Sequence, residues 1–334
     1  PAVFDLFQKG NTIGVFQFES AGMQRYMEEL RPTKFEDLIA MNALYRPGPM
    51  SEIPKFIARA HGDEPVTYDD PHMKDALKDT YGVLVYQEQF MKISRDMANF
   101  TGGEADTLRK SISKKKVDLM RKFREKFING SVEHVGADRA KMEKFWSHLE
   151  DFASYCFNKS HAACYSLIAY WTAWLKVHYP EAFMAALMTS DFKNTDRLTI
   201  EISECNRMGI KVLNPDVNDS FVGFAIVPGT KDIRFGFSAI KGVGSTAIES
   251  ILKARDEAKF TSVEDFARRT DSRVVNKRVW ESLIRSGAFD NFATIVEPES
   301  DDDDGVRGDR SDLLFSLDDI IAFSGKVQKE AASG

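Results

Sequence analysis

A chain of 334 residues with 43% hydrophobic side chains is long enough to bury two or three separate cores. No apolar run approaches the ~20 residues of a bilayer span and no secretory leader is visible, so the reading is a cytoplasmic chain with no membrane partner. The net charge of −6 is uneven: residues 292–334, with Asp301 to Asp304 in a row, carry −7 and leave the rest at +1, so a nucleic-acid partner is not excluded.

The chain opens on Pro1 rather than Met and runs straight into Val3-Phe4-Asp5-Leu6-Phe7, which reads as an internal piece of a larger protein. Helices are expected over 20–30 and 35–44, the second with Phe35, Leu38, Ile39 and Met41 on an apolar stripe. Arg46-Pro47-Gly48-Pro49 breaks that pattern, and a helix restarts over 50–60. Residues 61–71 read as loop. The segment Thr80 to Tyr86 is β-branched and aromatic, a short strand or a buried turn before a helix over 88–99. Gly102-Gly103 reads as a break and Asn129-Gly130 as a turn, on either side of helices over 104–111 and 117–127. A further helix is expected within 139–152.

The stretch from Phe157 to Pro180 then places a polar cluster, Asn158-Lys159-Ser160-His161, on the first turn of a long apolar helix over 160–178. Its apolar residues, among them Leu167, Trp171 and Trp174, fill most of the circumference and predict a helix buried on most sides, stopped by Pro180. Helices over 181–189 and 198–208 follow, then a β-hairpin pairing 221–227 with 233–237 across Pro228-Gly229. From Ser238 to Phe292 the pattern is helical again. Residues 293–311 read as an acidic flexible linker and 312–334 as one amphipathic helix.

Three features bear on chemistry. Between residues 109 and 126 nine basic side chains stand against Asp118 and Glu125; so dense a cluster repels itself unless a polyanion neutralises it. Arg109, Lys110 and Lys114 are its candidate phosphate contacts. The cluster Lys159, Ser160 and His161 is either an anion site at a helix N-terminus or the cap of a core helix. Finally, Ile240-Lys241-Gly242-Val243-Gly244-Ser245 followed by Ala247, Ile248 and Ile251 fits a helix-hairpin-helix, whose turn offers backbone N–H groups to a DNA phosphate without reading sequence. Lys241, Gly242, Gly244, Ser245 and, further on, Lys277 are its candidate DNA contacts, and a degenerate second copy is expected within 274–289, with Ser286-Gly287-Ala288 in place of the glycine pair. Against these stands an absence: the three cysteines, Cys156, Cys164 and Cys205, have no metal-ligand spacing, and no carboxylate set with an ordered apolar frame suits two-metal phosphoryl transfer.

The stretches GVFQFES (14–20), ALYRPGPM (43–50), YGVLVYQEQ (81–89), TLRKSISKKK (107–116), the long run 157–188 and IRFGFSAIKGVG (233–244) resemble the fingers region of bacterial replicative DNA polymerase III alpha subunits, the C-family polymerases. The resemblance covers about 1–291. The expected fold is mainly α: a helical fingers domain (1–190), a connecting helix and small β-hairpin element (191–237), a C-terminal helix-hairpin-helix domain (238–292) and a last helix (312–334), with the acidic linker (293–311) between the last two not typical of the family. The resemblance implies that Arg109, Lys110, Lys159, Ser160 and His161 face an incoming dNTP, with His161 nearer the sugar, and that the hairpin holds template-primer DNA. The catalytic aspartates, with their Mg²⁺, would sit in a palm domain of the same polypeptide, and the sliding clamp and other replisome subunits would bind elsewhere on it. The chain departs from the family where Ser113 stands in place of a glycine. The rival reading is a non-catalytic DNA-binding or subunit-docking module.

Overall fold

The computed structural model describes residues 1–113, 117–153, 156–292 and 309–333. Lys114, one of the candidate phosphate contacts, lies outside them, as do residues 293–308 of the expected linker. The fold is mainly α with one small sheet, and it divides into two compact units, Pro1–Val177 and His178–Gly334.

The first unit is built on two apolar clusters. One gathers α1 (Ala2–Gln8), α2 (Ala21–Leu30), α3 (Phe35–Leu44), α4 (Ile53–His61) and α10 (Lys159–His178) around Phe7, Phe18, Leu38 and Phe56. The other gathers α5 (Lys74–Leu77), α6 (Gln87–Ala98), α7 (Gly102–Ser113), α8 (Val117–Val135) and α9 (Arg139–Ala153) around Phe90, Phe127 and Trp146. Local chemistry sets the helix starts. Ser20 caps α2 through Met23 N–H, and the Gln89 amide oxygen accepts from both Val85 and Tyr86 N–H at 2.8 Å to start α6. Residues 80–86 accordingly form a buried turn rather than a strand, apart from one bridge between Tyr86 and Phe157.

Both expected glycine breaks in this unit are helical. Gly102 and Gly103 open α7, because Thr101 and Glu104 form a reciprocal cap: Thr101 N–H donates to Glu104 Oε2 at 2.9 Å and Glu104 N–H to Thr101 Oγ1 at 3.3 Å. Gly130 lies inside α8, where a Cβ would sit 2.7 Å from the Ala98 carbonyl oxygen. Glycine is there for close packing of α8 against the end of α6, not for a turn.

The long helix α10 is not buried on most sides. Its inward face is a stripe of small residues, Ala162, Ser166, Ala169 and Ala173, with Lys176 below them. The large side chains point out: Trp171 is 57% exposed, Leu175 44% and Leu167 40%. The apolar count around the helix was right, but the core here accepts only small side chains. Lys176 is buried because its ammonium donates to the Asn11 and Ile13 carbonyls at 2.9 and 2.7 Å, tying the loop after α1 to α10. Pro180, expected only as a stop, is the first residue of the next helix, where its missing N–H costs nothing.

In the second unit α11 (Pro180–Ser190) and α12 (Thr195–Arg207) lead to a three-stranded sheet in the order β1 (Val212–Leu213), β3 (Ile233–Arg234), β2 (Ala225–Ile226). The β2–β3 pair is the expected hairpin, shortened; the parallel β1 was not foreseen, since two residues leave no periodicity to read. Then come α13 (Ser245–Glu257), α14 (Val263–Arg269) and α15 (Lys277–Arg285) around Phe266 and Trp280. The expected terminal helix is two, α16 (Asp309–Phe315) and α17 (Leu317–Ser333), and its apolar residues join this same core. Where the degenerate second copy was expected, α15 runs to Arg285 and Ser286-Gly287-Ala288 follows it, with Gly287 at φ of +83°.

Candidate functional site

In the first unit Arg109 and the start of α10 both contact the first turn of α6, at the adjacent residues Gln87 and Glu88. Arg109 of α7 reaches Gln87 Oε1 at 3.5 Å. Glu88 accepts from the Lys159 backbone N–H at 3.0 Å and from the Asn158 amide at 2.9 Å, which fastens the start of α10 to α6. Asn158 caps α10 through His161 N–H at 2.8 Å. The capping reading of Asn158 therefore holds, and Glu88 is the anion resident at the helix end.

Arg109 and Lys110 already share a protein counter-ion. Asp106 accepts from Arg109 at 2.8 Å and lies 2.6 Å from the Lys110 ammonium; Lys110 first, then Arg109, holds its carboxyl below the usual range. The Lys159 ammonium lies over the Tyr86 ring, 5.4 Å from its centroid. Ser160 and His161 are exposed. The His161 ring packs 4.3 Å from Tyr165 and edge-on to Phe157, whose face carries the Arg46 guanidinium at 4.1 Å. Burial pulls the Arg46 pKa down. Arg46, Phe157, His161 and Tyr165 line a cavity of about 120 Å³. A larger cleft of about 560 Å³, floored by Leu77 and Val83, contains none of the expected residues.

Gln87, Glu88, Asp106 and Arg46 were not singled out from the sequence. Asp106 was within reach: it stands three and four residues before Arg109 and Lys110, the spacing of helical ion pairs. Glu88 meets its partners across 70 residues of chain and left no local signal.

In the second unit the glycine pair does two different jobs. Gly242 has φ of +100°, and a Cβ there would meet Ser282 Oγ at 2.7 Å, so the fold itself demands glycine. Gly244 has φ of −87°, and a Cβ would meet nothing within 4 Å. Lys241, Gly244 and Ser245 are exposed at the start of α13, which has no side-chain cap. Lys277 is less available, since its ammonium pairs with Asp318 of α17 at 2.5 Å. Among the described residues no group of three or more His, Cys, Asp or Glu side chains could hold a metal ion, and no helix is long and apolar enough to cross a membrane.

Residues 1–135 match the family model described as the bacterial DNA polymerase III alpha subunit finger domain, and residues 209–295 match a helix-hairpin-helix motif. The two matches define the class, a polymerase finger domain followed by a helix-hairpin-helix module. Among curated relatives, the DNA polymerase III subunit alpha of Aquifex aeolicus is 48% identical over 87% of this chain and 25% of its own length. That of Thermus aquaticus is 43% identical over all of this chain and 26% of its own length, and that of Neisseria meningitidis serogroup B 46% identical over 98% and 27%. The chain belongs to the DNA polymerase III alpha subunit family, and it spans about a quarter of the length of the curated relatives it matches.

Proposed function

We propose that this chain is the nucleotide- and DNA-handling part of a replicative DNA polymerase, with fingers in residues 1–190, a connector over 191–237, the hairpin module over 238–292 and a terminal helical segment over 312–334. Arg109, Lys110 and Lys159 bind the triphosphate of an incoming dNTP across the first turn of α6, while His161 faces the sugar. The hairpin at Lys241, Gly242, Gly244 and Ser245, with Lys277 on the neighbouring helix, holds template-primer DNA by its backbone. Nucleotidyl transfer needs carboxylates that the described residues do not bring together, so we assign Mg²⁺ and the transfer step to a palm domain elsewhere in the longer polypeptide, and the sliding clamp to further segments of it. What this region supplies is positioning and positive charge at the triphosphate, both of which phosphoryl transfer depends on.

The observation that carries the DNA-holding role is Gly244: an exposed glycine, in a backbone conformation any residue adopts, with open space where its Cβ would be. Nothing inside the fold requires glycine there, and the close approach of an outside backbone does. Gly244→Val tests it. The variant folds with the parent's melting temperature and loses at least about tenfold in affinity for duplex DNA of arbitrary sequence, the scale of one hydrogen bond to a charged group. Unchanged duplex affinity in the folded variant refutes the role.

A further inference from the structure

The last helix, α17, closes one wall of a cleft of about 830 Å³ against α13 and the turn between α14 and α15. Five cationic side chains, Lys253, Arg268, Arg269, Arg273 and Lys329, line it against two acids, Glu257 and Asp271.

The walls are built rather than incidental. Ser324 of α17 donates its buried hydroxyl to the Ala267 carbonyl at 2.8 Å. Gln328 accepts from Ser272 N–H at 2.9 Å and donates to the Thr270 carbonyl, which fixes the turn 270–273 against α17. Arg268 lies over the face of Phe323, 4.7 Å from the ring centroid, so its guanidinium is pre-oriented by α17.

The charges are deployed in a way that favours an anion. The carbonyl end of α13 would repel one. Arg269 donates to the Ala254 and Ala258 carbonyls there, while its other terminal nitrogen pairs with Asp265 at 3.1 Å. Asp271 is spent on Arg273, which holds its carboxyl down to about 2, through both the guanidinium and the Arg273 backbone N–H. Among the described residues the Lys253 ammonium makes no ion pair or hydrogen bond. Ser250 accepts from Asp271 N–H at 2.9 Å, which leaves its hydroxyl proton free to donate.

We infer that this cleft is a second phosphate-binding site, taking the nucleic-acid backbone, with α17 as part of the DNA-holding surface. The inference rests on the DNA-holding role proposed above. The hairpin and the cleft share one rigid helix: Ser245 opens α13 at the hairpin and Lys253 stands in the cleft, about 12 Å further along the helix axis. Each strand of a duplex presents one phosphate per about 3.4 Å of its axis, so a strand tracking α13 supplies both sites.

The test is binding of a labelled duplex by the full chain at several salt concentrations, with Lys253→Glu/Lys329→Glu and, as the milder form, Lys253→Gln/Lys329→Gln. Melting temperatures confirm that both variants fold. The expected result is about tenfold weaker binding at moderate salt, with the log–log salt slope reduced by about two for two lost phosphate contacts. Gly244→Val is the control on the hairpin. If the parent binds duplex, Gly244→Val weakens it and the lysine variants match the parent in affinity and slope, this inference falls and the hairpin reading stands. If the parent binds no duplex, both fall. Inorganic phosphate separates the sources: a lysine-dependent rise in melting temperature with phosphate, alongside unchanged duplex affinity, marks a free-anion site and overturns the nucleic-acid assignment.

Discussion

Glu88 decides how the proposed nucleotide site behaves when empty. Its carboxylate occupies the Lys159 N–H at the start of α10, one of the donors a triphosphate would use. A phosphate approaching Lys159 meets that negative charge and must displace or share with it. In the longer polypeptide, proposed above to be a polymerase, Glu88→Gln keeps an acceptor for Lys159 N–H and removes the charge. The expected outcome is a KM for dNTP lowered roughly three- to tenfold, the scale of one unit charge a few ångströms away in a partly solvated site. A raised KM means that Glu88 serves the nucleotide by anchoring α10, and that it does not compete. The same residue marks the limit of sequence reading at this scale. Arg109 and Lys110 could be picked out because positive charge clusters in the chain, and Lys159 because it stands in a polar cluster on the first turn of a long helix. Their counter-ions could not be weighed without knowing which acids fold onto them.

Among the elements, α10 gives the sharpest contrast. Its helical span could be read almost to the residue, but its buried face could not, because the core selects by size here rather than by hydrophobicity. Ala169 is fully buried, while Trp171 is more than half exposed. Ala169→Leu should therefore lower stability by about 1–3 kcal/mol through overpacking, and Trp171→Ala by less than about 1 kcal/mol. Chemical denaturation of the two variants checks the order; a larger loss for Trp171→Ala contradicts the assigned face.

The α7–α8 pair makes a second claim, about pH. Glu104 is held down to about 2, first by the Lys126 ammonium of α8 and then by Thr101 N–H. A carboxylate with a depressed folded pKa stabilises the fold above its unfolded value, near 4.5, and that contribution disappears as pH falls towards 2. Between those limits the parent loses stability more steeply with acid than Glu104→Gln does. Equal slopes for the two would show that the Glu104–Lys126 pair does not hold in solution. The glycines of these helices were misread for one common reason: Gly102, Gly103 and Gly130 are turn formers by composition, and only the Thr101–Glu104 cap and the approach of Ala98 make them helical.

Across the whole chain, the sequence revealed the helical class, the glycine hairpin and the positive stretch after Arg109, all of which depend on local pattern. It did not reveal the parallel strand β1, the division of the terminal segment at Ser316 or the docking of α17 on the hairpin unit, because each depends on contacts between distant residues. The central claim is that the start of α10, capped by Asn158, is also a triphosphate site together with Arg109 and Lys110. The measurement that bears on it most directly is single-nucleotide incorporation by the full polymerase with Lys159→Ala. Loss of one bond to a charged group, about 1.5–3 kcal/mol, predicts a KM for dNTP raised roughly ten- to a hundredfold, with an unchanged melting temperature. Wild-type nucleotide kinetics with a lowered melting temperature would contradict the claim and leave Lys159 a helix-end residue.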